Sequence, residues 1–179
     1  IMAKETTGSL SKSMVTSLIL TLVISLVVLT AAFWATKGSK VLGVLTMIPV
    51  ILSSIWILGT MYILEIPFTI LTVTVTALTI GLGIDYSIHI SRRFVEEIDR
   101  CNDVHLGCRE AVQHTGTALL GAAATTSAGF GLLVFSILPP MQDFGGIVAL
   151  TIIYSFLASV FVLPTLLVIW ANRTKKGPE

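Results

Sequence analysis

The sequence predicts an all-α polytopic membrane protein with five spanning helices, and three observations carry that prediction. The chain of 179 residues is 54% hydrophobic and 12% charged, with a mean hydropathy of +0.93. That leaves too few charges to cover the surface of a water-soluble domain. The charges are confined to short stretches between long apolar runs. Five of those runs are long enough to cross a hydrocarbon core, which takes about 20 residues at a rise of about 1.5 Å each.

The first run, Val15–Thr36, is uncharged throughout. The second, Val41–Leu64, contains Pro49 and places Trp56 and Tyr62 toward its end. The third begins near Pro67 and passes through a threonine-rich stretch to about Ser91. The fourth covers Thr115–Leu138, and the fifth Phe144–Trp170 with Pro164 inside. Membrane helices accept such prolines, because neighbouring groups re-satisfy the freed carbonyl. The chain opens at Ile1 without a signal-peptide pattern and is read as a segment of a longer protein.

Orientation follows from the basic residues. The stretches Lys37–Lys40, Arg92–Arg109 and Arg173–Lys176 hold nine of the eleven Lys and Arg. The alternate loops, at Glu65 and Pro139–Asp143, hold none, and Lys4 and Lys12 precede the first run. By the positive-inside rule the basic stretches are cytoplasmic in a plasma membrane. The N-terminus is then outside and the C-terminus inside.

The stretch from Arg92 to His114 is the one sizeable polar connection. Phe94, Val95 and Ile98 recur at helical spacing, and Val104, Ala111 and Val112 form a second set. The expectation is two short amphipathic helices on the cytoplasmic face, the second capped by Asn102 or Asp103. Cys101, His105 and Cys108 match zinc-ligand spacing poorly and are read as two reduced thiols beside an unrelated histidine. No metal and no cofactor is expected, and no hydrolytic or transferase constellation is present.

Among the five runs only the third holds an acidic residue well inside. Asp85 precedes Arg92 by seven residues, which is about 10 Å along a helix. A carboxylate at that depth costs several kcal/mol unless paired, hydrated or protonated, so it points to an ion or proton pathway. Gly81, Asp85 and His89 are spaced by four and stack on one face. Gly81 removes bulk beside the carboxylate. His89 is placed either to pass protons on or to meet headgroups. Tyr86 diverges from Asp85 by about 100° and finds a partner more naturally on another helix. Thr72, Thr76 and Thr79 form a stripe on a different face. In the fourth run Gly121, Thr125 and Gly129 repeat every fourth residue, the spacing of close helix packing. Thr126 and Ser127 are the polar groups expected to come nearest Asp85.

The run Gly81-Leu-Gly-Ile-Asp-Tyr-Ser-Ile-His89, with Arg92-Arg93-Phe94 after it, resembles the fourth or tenth transmembrane helix of the resistance–nodulation–division superfamily. Its Asp-Tyr pair is similar to that of the branch containing mycobacterial large membrane proteins, hopanoid exporters and Patched-like proteins. The likeness extends to Pro49 and Gly59, Ile66-Pro67, Arg109-Glu110-Ala111, Thr125-Thr126, Gly129-Phe130-Gly131, Pro139-Pro140 and Leu163-Pro164.

The resemblance implies two six-helix halves related by a pseudo-repeat, each with an extracytoplasmic porter domain after its first helix. This chain would supply helices two to six of one half, the second by the look of its ending. Residues 1–14 would be the tail of the porter domain, 15–171 the transmembrane domain and 172–179 a cytoplasmic tail. Asp85 and Tyr86 match the family's proton or cation relay, supported by Gly81, Gly83, His89 and Thr126. The drug pumps' basic relay residues have no counterpart here.

The expected function is therefore the transmembrane half of a secondary active exporter of lipids or other amphiphiles, driven by protons or sodium. A sterol-sensing module and a protein-export subunit are the alternatives. The implied partners are membrane lipid, the other half with its porter domain, and the coupling ion. Homo-oligomerisation is left open, and nucleic acid is excluded.

Overall fold

Backbone hydrogen bonds in lipid must close within a segment, so long apolar runs become helices. The computed structural model describes the backbone of residues 2–37, 40–66 and 70–175, and among these it contains helices and no strand. The expected start of the third span at Pro67 and the tail from Lys176 lie outside the described residues, as do the side chains of Thr72 and Thr76.

Helix α1 is Met2–Lys37, α2 Lys40–Ile63 and α3 Ile70–Cys101. A short α4, Val104–Glu110, runs through a wide π turn, Ala111–Gly116, into α5, Thr117–Gly131. A tight turn at Leu132–Phe135 leads to α6, Pro139–Leu157, and a second π turn, Ala158–Val162, joins it to α7, Leu163–Lys175. Val41–Ile63, Val104–Phe135 and Pro139–Arg173 are each long and apolar enough to cross a membrane, and Ile19–Ala35 is a shorter apolar helix.

Several helix ends differ from the expected ones, each for a local reason. The stretch after Ser91 does not start a new helix. α3 runs on to Cys101, because Phe94 continues its buried stripe and Arg93 pairs with Glu97 at 2.6 Å one turn on. The chain then reverses in two residues. Asn102 takes a left-handed φ of 52°, and Asp103 caps α4 by accepting from the amides of His105 and Leu106. α6 begins at Pro139 rather than Phe144, with two prolines whose fixed φ suits a first helical turn. α2 ends where Glu65 turns left-handed (φ 53°) and the Ile66 amide bonds back to the Met61 carbonyl. The π turn before Pro164 widens the helix where proline removes an amide donor and crowds the carbonyl four residues back.

Two apolar clusters hold the rods together. At the basic end, Leu29, Phe33, Leu42, Met47, Ile90, Phe94, Leu163 and Leu167 join α1, α2, α3 and α7. Toward the other end, Ile57, Met61, Val75, Tyr86, Ala123, Ile147 and Ile152 join α2, α3, α5 and α6. α3 is central and packs on α1, α2, α6 and α7, whereas α5 is peripheral and leans on α6. Gly145 makes that last contact close: a Cβ there would overlap Leu133 and the Phe130 carbonyl.

Candidate functional site

α3 carries two stripes of small and polar residues, each repeating every fourth position. The first is Thr79, Gly83, Ser87 and Ser91, and all four are buried. Facing it on α6 and its π turn are Thr151, Ser155 and Ser159, also buried and also spaced by four. The hydroxyls pair across the interface: Thr79 with Thr151 at 3.4 Å and Ser87 with Ser159 at 2.9 Å. Thr46 on α2 extends the seam toward the basic end, at 2.9 Å from Ser91. Gly83 supplies the close approach, since a Cβ there would stand 3.3 Å from the Ser155 hydroxyl and 3.6 Å from that of Ser53. Ser155 is the one buried hydroxyl without a hydrogen-bond partner among the described residues.

The second stripe is Gly81, Asp85 and His89, and all three are exposed on the outside of the bundle. Beyond its own helix turn, no atom of the described residues lies within 4 Å of where a Gly81 Cβ would be. The spacing argument therefore holds for the shared face, and the structure turns that face away from the chain's own core. Asp85 has no hydrogen bond or ion pair among the described residues. Tyr86, its neighbour in sequence, points the other way. Its ring is buried among Ala123, Ile147 and Ile152 and meets Phe156 edge-on, 6.2 Å between centroids.

The fourth-run residues fall the same way. Gly121, Thr125 and Gly129 are exposed along α5, and beyond their own helix turn no atom of the described residues lies within 4 Å of a Cβ at either glycine. Thr125 bonds back to the carbonyls of Gly121 and Ala122, the ordinary use of a helical threonine. Thr126 is half-buried, while Ser127 donates to the Ala149 carbonyl on α6 at 3.2 Å. Neither threonine nor serine is hydrogen-bonded to Asp85 among the described residues. The buried hydroxyl seam escaped the sequence reading, although its signal was present: positions 79, 83, 87 and 91 repeat as regularly as 81, 85 and 89.

The arrangement is that of a helix with one finished face and one open face. An ionised carboxylate facing hydrocarbon is unfavourable by about 2.5–3.5 kcal/mol at a helix centre. Gly81 leaves room beside Asp85 for another surface to approach.

The MMPL family model matches residues 1–179. A membrane protein of Methanocaldococcus jannaschii is 37% identical over 126 residues, covering 70% of this chain and 32% of that one. The hopanoid transporter HpnN of Rhodopseudomonas palustris is 28% identical over 109 residues, 61% of this chain and 13% of its own length. The sulfolipid-1 exporter MmpL8 of Mycobacterium tuberculosis is 24% identical over 104 residues, 58% of this chain and 10% of that one. The matched stretches thus make up a third or less of the length of these relatives.

Proposed function

The chain belongs to the MMPL family, and from that premise we propose that it is the transmembrane half of a secondary active exporter of lipids or other large amphiphiles, driven by ion movement through Asp85. The observation that carries this is the open face of α3: a carboxylate among apolar rods, flanked by Gly81 and His89 and without a hydrogen bond or ion pair among the described residues. The exposed Gly121, Thr125 and Gly129 of α5 are a second unfilled packing face. A relative more than twice as long has further chain that could cover both. Two of the relatives are named for export or transport of hopanoids and of a sulfolipid, both amphiphiles.

In this reading Asp85 is ionised when the opposing half offers donors and neutral when the halves slide past each other. One elementary charge moved across the membrane potential supplies about 2.3 kcal/mol per 100 mV, enough to bias such a cycle. Tyr86 holds the helix against α6 on the far side, so that the switch moves α3 as a body. His89 stands one turn toward the basic end, where it hands the proton on.

The test is Asp85→Asn in the full-length protein. Asn keeps the size and much of the hydrogen bonding and removes the titratable proton. Expression and membrane insertion should be unchanged and ion-driven export abolished. Full export by this variant under an imposed proton or sodium gradient would refute the reading.

A further inference from the structure

Two adjacent arginines close the membrane part of α3, and they meet different surroundings. Successive side chains on a helix diverge by about 100°. Arg93 turns toward the helix's own carboxylates, 2.6 Å from Glu97 and 3.6 Å from Glu96. Arg92 is exposed, and it has no ion pair or hydrogen bond among the described residues. It stands instead at a cavity of about 220 Å³ between α1 and α3, whose other walls are Leu29, Ala32, Phe33 and Ile88. Leu29 and Phe33 are buried, while Ala32 and Arg92 are exposed and form the mouth. Apart from the guanidinium, the described lining side chains are apolar.

We propose that this cavity binds one anionic phospholipid from the leaflet on the Arg92 side, with its phosphate on Arg92 and the upper part of an acyl chain against Leu29, Phe33 and Ile88. The depth order fits a lipid. Ile88 lies one turn, about 6 Å, deeper in α3 than Arg92. On α1, which descends to Lys37 at the same end, Leu29 lies one turn deeper than Phe33. A headgroup at the arginine therefore sends its tail inward along the cavity. The volume is below the ~300–1,000 Å³ that encloses a whole drug-sized ligand, which suits part of one chain whose remainder stays in the bilayer.

Charge decides the headgroup. Guanidinium is the side chain best matched to phosphate, in geometry and in weak hydration. Among the described residues no acidic side chain lines the cavity, so none of them would hold the ammonium of a zwitterionic lipid. The neighbouring cavity of about 300 Å³ makes the contrast, because Arg93 and Arg100 there are balanced by Glu97 and Glu110. Basic pockets between membrane helices at such an edge are favourable for anionic headgroups. The site is separate from Asp85 and does not depend on the transport reading.

The experiment uses the full-length protein in nanodiscs of phosphatidylcholine containing a minor fraction of phosphatidylglycerol, with a photoreactive acyl chain on one lipid or the other. Labelled peptides are mapped by mass spectrometry. Phosphatidylglycerol should label the peptides around Ala32 and Ile88 several-fold more than phosphatidylcholine at equal mole fraction. Arg92→Gln should abolish that preference, and Arg92→Lys should keep part of it. Ala32→Leu, which fills the mouth, should reduce labelling by both lipids at this site and not elsewhere. Equal labelling by the two lipids in the unsubstituted protein would overturn the proposal, as would a preference that survives Arg92→Gln. Because the readout is binding, a failed export experiment leaves this result untouched and the reverse also holds.

Discussion

The two stripes of α3 differ by a rotation of two residues and by nothing in their spacing. Thr79, Gly83, Ser87 and Ser91 close against hydroxyls of α6 and α2, and every one of them is buried. Gly81, Asp85 and His89 are exposed, and no contact closes over Gly81 among the described residues. The difference teaches how the helix divides its labour. Paired hydroxyls are each worth only about 0.6 kcal/mol in a membrane bundle. They nonetheless fix register, because a slip would strand several of them at once. A lone carboxylate adds nothing to such a seam, and it is useful where a second surface can respond to its charge.

The largest test of this contrast pairs two glycines two residues apart. Gly83→Leu drives a side chain into the Ser155 and Ser53 hydroxyls and Val50, and should cost about 1–3 kcal/mol of stability or more. Gly81→Leu meets open space and should stay within about 0.5 kcal/mol in the 179-residue chain. In the full-length protein the same substitution should impair export. Thermal unfolding of both variants in detergent reads the first part, and equal destabilisation would break the comparison.

A smaller effect separates members of the buried stripe. Ser87→Ala leaves the Ser159 hydroxyl without its partner and should destabilise by about 1 kcal/mol. Ser155→Ala removes a hydroxyl that has no hydrogen bond, so it should be neutral or stabilising by up to about 1 kcal/mol. If Ser155→Ala proves as costly as Ser87→Ala, the seam is not divided as described.

The smallest effect lies beyond the membrane part. The proposed orientation puts Cys101 and Cys108 in the cytoplasm, so an impermeant thiol reagent should label a cysteine introduced at Asp143 in intact cells and spare the native pair. The reverse pattern would refute that topology. In membrane fragments open to the reagent, burial pushes the Cys108 thiol above its ordinary range. A raised pKa lowers the thiolate fraction at a given pH, and the thiolate is the reactive form. Alkylation of Cys108 should therefore be slower than in the denatured chain, and the gap should narrow as the pH rises. Equal rates at pH 8 would count against the buried position.

Much of the fold was legible before any coordinates. Unbroken apolar length marked α2 and the rods ending at Phe135 and Arg173, and a cap at Asn102 or Asp103 was readable because short polar acceptors stood before a new apolar set; the structure assigns it to Asp103. The continuation of α3 past Arg92 was harder to see. Charged residues suggested a loop, while Phe94 and Ile98 were silently continuing the same buried face. Asp85 was legible because a charge in an apolar run has few explanations. The partners of Thr126 and Ser127 were not, since α5 could lean on either α3 or α6 with the same small residues.

Sequence alone determined the solvent of this protein, the helical character of its rods, the isolation of Asp85 and the sharing of one face by Gly81, Asp85 and His89. Each of these follows from composition or from the fixed rise and turn of a helix. Only the tertiary structure decided which face of α3 points inward. Two stripes with the same period are equivalent until a neighbour is present. The hydroxyls of Thr151 and Ser159 and the small space beside Gly83 made the seam the better-packed choice. Once that face was buried, rotation left Asp85 on the outside.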